Sequence, residues 1–286
     1  MKFWQFLRFT APEQLPALAE LVEASLFDGI VLGDHVVFPE TIESPYPYSK
    51  DGKVLWDPTT PWPDVWVAIA AMAAVTRRIH FSTNVFVLPL RNPFEMARTA
   101  ATLSALSGNR VALGTGVGWM EEEYRAVGVD FKTRGKRYDE MIDVMRLLWT
   151  GGMVEYHGEI FSFPRLQMSP KPAGRIPLYL GGGSQPAMRR AARKGDGWIT
   201  GNFERDTIGD TIARMRTLLR EAGRENEDFE LIAPVGADLD FIKMLRDLGV
   251  TSIIDLSSRR DIGPDKTLQQ KAEYFSRYSD TIISRI

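Results

Sequence analysis

Short apolar or β-branched runs alternate along this chain with longer stretches whose apolar residues recur at helical spacing, and Gly- or Pro-marked loops separate them. Lys2–Phe9 reads as a first strand, and Pro12–Leu26 as a helix with Leu15, Leu18, Ala19 and Val22 on one face. Gly29–Leu32 is wholly apolar, as a strand covered on both sides of a parallel sheet should be. Further strands are predicted at Ile79–Asn84, Arg110–Leu113, Ile176–Leu180, Gly197–Thr200, Phe229–Pro234 and Ser252–Leu256. Helices are predicted at Val65–Thr76 with Asp64 as its cap, after Asn92-Pro93, and at Lys136–Leu148, Pro186–Lys194, Thr207–Ala222, Asp238–Leu248 and Thr267–Ile283. Val154–Phe163, centred on His157-Gly158-Glu159, reads as an inserted hairpin. Eight strands alternating with helices predict a single (β/α)8 TIM barrel over residues 1–286, with an inserted β-hairpin and long βα loops. A dinucleotide-binding open sheet would need a Gly-rich turn after the first strand, where this chain has Phe9-Thr10-Ala11-Pro12.

Active sites of such barrels lie at the C-terminal ends of the strands, so polar residues just past each apolar run are the candidates. Asp34-His35 follows the second strand, a carboxylate and an imidazole suited to moving a proton near neutral pH. The loop from Val36 to Pro63 is rich in Pro, Tyr and Ser and too long for an ordinary connection, which predicts a lid or binding loop. Asn84-Val85-Phe86-Val87-Leu88-Pro89 overruns the third strand and predicts a bend at the rim. Gly181-Gly182-Gly183-Ser184 ends a strand and opens a helix, an arrangement that offers backbone N–H groups to a phosphate. Glu121, Glu122 and Glu123 read as a solvated acidic face, while Trp62, Trp66 and Trp119 are candidates to stack on a planar ligand. His80 and His157 read as structural.

Composition narrows the chemistry. Thirty-five Lys and Arg against 37 Asp and Glu, with the cations scattered, argue against a nucleic-acid partner. The absence of Cys and the wide spacing of three His exclude disulfides, thiolate chemistry and a zinc cluster, so no metal site is expected. A start without a signal-peptide pattern, and no later apolar segment of about eighteen residues, give the expectation of a cytoplasmic protein with no membrane association.

Taken together, Gly29–His35, Asn84–Pro93, Gly114–Trp119 followed by Glu123, and Leu178–Ser184 followed by Gly195-Asp196-Gly197-Trp198 resemble the luciferase-like monooxygenase superfamily, and in particular its coenzyme F420-dependent oxidoreductases. The resemblance spans nearly the whole chain. It implies a flavin-like ring held across the barrel mouth and a non-prolyl cis peptide after strand three, here at Asn84-Val85. It also implies that Asp34 contacts the ring, that His35 gives or takes a proton, and that backbone at Gly182 and Gly183 binds phosphate with Gly181, Ser184 and Thr200 nearby. Sugar-phosphate dehydrogenases of that branch carry Gly-x-Gly-Glu after strand four; Gly116-Val117 here disfavours that activity.

The expected function is hydride transfer between F420 and a small organic substrate, which the cofactor's chemistry and the protein's orientation of it would share. The alternative within the superfamily is an FMN-dependent two-component monooxygenase, though the chain is shorter than most of those. Rivals of other classes are a non-redox barrel hydrolase or lyase using Asp34, His35 and the phosphate loop, and a noncatalytic flavin-binding barrel. Apolar surfaces on the early helices permit a homodimer, as is common in that superfamily.

Overall fold

The computed structural model describes residues 1–201, 204–256 and 261–286. Among the described residues there are eleven strands: β1 (Lys2–Phe6), β2 (Gly29–Leu32), β3 (His80–Thr83), β4 (Phe86–Val87), β5 (Leu113–Gly116), β6 (Val154–His157), β7 (Ser162–Leu166), β8 (Leu178–Gly181), β9 (Gly197–Ile199), β10 (Glu230–Val235) and β11 (Ser252–Asp255). The α-helices among the described residues are α1 (Leu15–Glu23), α2 (Val65–Val75), α3 (Pro93–Ser107), α4 (Glu121–Ala126), α5 (Arg134–Leu148), α6 (Gln185–Lys194), α7 (Ile208–Glu221), α8 (Leu239–Asp247) and α9 (Leu268–Thr281).

Nine strands form one parallel sheet in the order β3-β2-β1-β11-β10-β9-β8-β5-β4. The two ends of that order meet: Phe81 N–H donates to Arg110 O at 2.8 Å and Ala112 N–H to Phe81 O at 2.9 Å, which joins β3 to the segment leading into β5. The protein is therefore a (β/α)8 barrel whose third strand is broken in two. β3 pairs with β2, the chain passes through a cis Asn84-Val85 peptide, and β4 resumes the strand against β5. The predicted bend after strand three is this break.

Side chains alternate along each strand and so build two cores. Trp4, Phe6, Val31, Ala112, Tyr179, Ile199, Ile232 and Ile254 fill the barrel, and a larger apolar layer lies between the sheet and its helices. Helix starts follow local chemistry. Asp64 accepts from Trp66 N–H and Val67 N–H at the head of α2, Asn92 from Phe94 N–H at the head of α3, and Thr267 with Gln270 forms a capping box on α9. Gly108 ends α3 at φ 66°, the left-handed position where a side chain is strained.

The fourth strand differs from the sequence reading. It runs over Leu113–Gly116 instead of Arg110–Leu113, because its glycines are needed for close approach: a Cβ on Gly114 would lie 1.8 Å from Thr83 O. The hairpin forms, with β6 and β7 antiparallel, and Glu140 of α5 fixes its turn by accepting from the N–H groups of Glu159, Ile160 and Phe161. Burial works against the charge on Glu140, but those three donors outweigh it and hold its pKa below the ordinary value. No helix among the described residues is long and apolar enough to cross a membrane.

Candidate active site

A cavity of about 380 Å³ opens at the C-terminal ends of the strands. Residues from the ends of all eight barrel positions line it, among them Arg8, Asp34, Val85, Gly116, Gly181, Thr200, Pro234 and Leu256. The loop over residues 36–63 adds Tyr46, Tyr48, Leu55, Trp56 and Trp62 above the mouth.

Asp34 and His35 leave β2 side by side but turn to different partners. Asp34 is 7% exposed; it accepts from Arg91 Nη2 at 2.6 Å and from Val87 N–H at 2.9 Å, and so ties the end of β2 to the segment after the strand break. Burial raises its pKa, and the Arg91 guanidinium and the Val87 amide pull it back. His35 meets Glu123 instead: Nδ1 lies 3.1 Å from Oε2, while Oε1 of the same carboxylate accepts from Val36 N–H at 2.6 Å. Glu123 is 2% exposed, so one member of the acidic run is no solvated charge. Glu121 is exposed, and Glu122 accepts from the N–H groups of Glu43 and Ser44, fastening the long loop. The signal available for Glu123 was its place one turn past Gly118-Trp119 at the barrel mouth; its own charge pointed the other way.

Aromatic rings enclose the imidazole. Centroid distances from His35 are 4.8 Å to Trp56, 4.8 Å to Trp62 and 6.1 Å to Trp119, and Tyr46 bridges Trp56 and Trp119 at 5.3 and 5.2 Å. Trp62 and Trp119 thus stand where a planar ligand would meet them. Trp66 does not: it is buried under the sheet against Phe86, with centroids 5.2 Å apart.

Across the mouth lies the glycine segment. Gly181 and Gly182 line the cavity, whereas Gly183 and Ser184 sit exposed at its rim, and Ser184 Oγ caps α6 by accepting from Ala187 N–H. Gly182 N–H donates to Ile199 O, so this residue contributes shape and not a donor. Gly183 N–H has no acceptor among the described residues. Trp198, fully buried, donates from Nε1 to Gly182 O at 2.8 Å and fixes the turn from below. Thr200 Oγ1 is buried beside this segment without a partner among the described residues, a hydroxyl that a ligand oxygen would satisfy. Between the two walls Val85 rises from the strand break. A Cβ on Gly116 or on Gly181 would come within 2.8 Å of its methyl groups, so both glycines are shaped to admit it. Asn84 lines the same edge. A cavity with a backbone donor, a hydroxyl lacking a partner among the described residues and a helix N-terminus on one side fits a ring carrying a phosphate tail.

The luciferase-like monooxygenase family model matches residues 5–237. Uncharacterized protein Rv0940c of Mycobacterium tuberculosis is 37% identical over 272 residues, 94% of each chain. Among solved structures, the monooxygenase RslO1 from Streptomyces bottropensis superposes with a TM-score of 0.79 at 18% identity over 99% of both chains. The coenzyme F420-dependent tetrahydromethanopterin reductase from Methanopyrus kandleri does so with 0.77 at 15% identity, over 99% of this chain and 98% of that one. These two likenesses are of fold.

Proposed function

This chain belongs to the luciferase-like monooxygenase family, and from that premise we propose that it is an oxidoreductase transferring a hydride between coenzyme F420 and a small organic substrate. The observation that carries the reading is the part-buried His35–Glu123 pair facing, across one cavity, the Thr200 hydroxyl and the Gly183 amide at the rim, both without a partner among the described residues. The deazaflavin, when bound, supplies or accepts the hydride. Everything else falls to the chain. With the cofactor bound, Gly183, Thr200 and the N-terminus of α6 would hold its phosphate and Val85 would back its ring, while Asp34, paired with Arg91, keeps the strand break in place.

Oxidising an alcohol carbon or reducing a carbonyl carbon also moves a proton at oxygen, and His35 is the group to do it. Glu123 Oε1 already accepts the Val36 N–H, so its Oε2 accepts from Nδ1–H, which keeps the proton on Nδ1 and leaves Nε2 as the working nitrogen. The aromatic rings of Trp56, Trp62 and Trp119 leave the His35 side chain only 11% exposed and so restrict water around it.

Equilibrium binding of F420 and of FMN to the purified protein tests the reading. F420 is expected to bind in preference, and Gly183→Asp, which sets a carboxylate against the phosphate, is expected to weaken it about 10- to 100-fold. Preference for FMN would move the assignment to oxygen chemistry. Binding of neither would revive a non-redox barrel, and F420 binding without turnover on any donor or acceptor would point to a noncatalytic carrier.

We also propose that the protein is cytoplasmic and pairs with a second copy through the outer faces of α2 and α3. Val67 is 71% exposed and Leu106 72%, with Ala71, Ala74 and Val75 continuing the apolar stripe on α2. Sedimentation velocity should then give a dimer that Val67→Glu shifts to monomer; a monomeric unmodified protein would overturn this.

A further inference from the structure

The wall that faces the cofactor side is made of rings. Phe9, Tyr46, Trp56, Trp62 and Trp119 surround His35, and neighbouring centroids lie 4.8–6.2 Å apart, mostly edge to face. Such a wall offers faces and edges to a flat π system and little to a hydrated one. Formal charges near it are already engaged. Asp34 is held by Arg91 and the Val87 amide, Glu123 by His35 and the Val36 amide, and the Arg8 guanidinium lies 5.1 and 5.4 Å from the Phe6 and Phe9 ring centres. Within the wall, Trp62 Nε1 is a buried donor without an acceptor among the described residues.

Resting on the reading above, we infer that the substrate taken at this wall is a small, uncharged, planar molecule bearing a carbonyl or hydroxyl oxygen, an aryl or conjugated ketone or its alcohol. A phosphorylated sugar would bring a hydrated dianion against five aromatic rings. A cationic ligand would meet Arg8 in the same cavity. A flat ketone suits both demands, its π face on Trp56 and Trp119 and its oxygen toward His35 and the Trp62 indole.

Calorimetric titration separates these classes. The protein, both free of cofactor and saturated with oxidised F420, is titrated with 1-indanone, with glucose 6-phosphate and with choline, while tryptophan fluorescence is followed. The expected result is that 1-indanone binds about tenfold or more tightly than the other two and quenches the fluorescence. Trp56→Ala should weaken it about fivefold or more, and Trp56→Phe should restore most of the affinity, showing that a ring and not mere folding is at issue. Equal or tighter binding of glucose 6-phosphate or of choline overturns the inference, as does 1-indanone affinity that ignores both Trp56→Ala and Trp119→Ala. Ring-dependent binding of 1-indanone to a protein that fails to bind F420 would sink the cofactor assignment and leave this one standing.

Discussion

Replacing Glu123 with Gln is expected to lower kcat about 100-fold or more while leaving KM nearly unchanged. The two carboxylate oxygens do different work: one accepts from Val36 N–H at 2.6 Å and the other lies 3.1 Å from His35 Nδ1. Glutamine has one acceptor. If its oxygen keeps the Val36 amide, its NH2 group faces Nδ1, which must then accept, and the imidazole proton moves to Nε2. The atom that should exchange a proton with the substrate is thereby in the wrong form, and in His-based catalysts the wrong tautomer costs up to about 10⁴-fold. Glu123 acts through His35, so the decisive readout is the ring itself. 15N chemical shifts should report the proton on Nδ1 in the unmodified protein and on Nε2 in Glu123→Gln. A variant with unchanged turnover, or one that loses activity with the tautomer intact, would remove Glu123 from the proton path.

Arg110→Ala should cost about 3–5 kcal/mol of stability, the range for a buried, fully paired charge that loses its role. The guanidinium, 9% exposed in its residue, donates to Ala73 O, Thr76 O, Ile79 O and Ser107 O and to the Thr76 hydroxyl, at 2.7–3.2 Å. Three of these acceptors, the carbonyls of Ala73, Thr76 and Ser107, lie at the C-terminal ends of α2 and α3, where the helix dipole is negative and no intrahelical donor is left; the fourth carbonyl, Ile79 O, belongs to the segment entering β3. Alanine would strand them under the floor of the barrel at its seam, next to the Phe81–Val111 bridge. Thermal unfolding should drop by about 10 °C, and Arg110→Lys should recover only part because an ammonium cannot span the same fork. A loss under about 1 kcal/mol would mean that water replaces the guanidinium at little cost.

The barrel was legible because its signals are periodic and local. Apolar runs, caps at Asp64 and Asn92, and the Gly108 stop all state their roles within a few residues. The fourth strand was misplaced because glycine normally signals the end of a strand, and only the Thr83 carbonyl packed against Gly114 explains why it belongs inside one. At the site, strand ends pointed to Asp34, His35, Gly181 and Gly182, and the family resemblance to Asn84, Val85 and Thr200; all of these line one cavity, while Gly183 and Ser184 stand at its rim. What sequence could not supply was pairing across distance. Asp34 and His35 look like one couple along the chain, yet each chose a partner more than fifty residues away, Arg91 and Glu123, because adjacent side chains on an extended segment diverge. Trp56 escaped notice for a related reason. A tryptophan in an irregular loop has no periodicity to place it, and its contact with His35 depends on how the loop folds back.

That loop is fastened from outside itself. Val36, Glu43 and Ser44 hang on Glu123 and Glu122, and Asp64 closes the far end as the cap of α2. The stretch between those anchors supplies Tyr46, Trp56 and Trp62 to the ligand-facing wall without supplying any strand of the barrel. It can therefore be treated as an exchangeable cassette. Transplanting residues 37–63 from a homologue, with the three acidic anchors retained, should carry ligand preference across while the frame and its cofactor cradle stay as they are, and lineages that diverge in what they consume would be expected to differ first along this one segment.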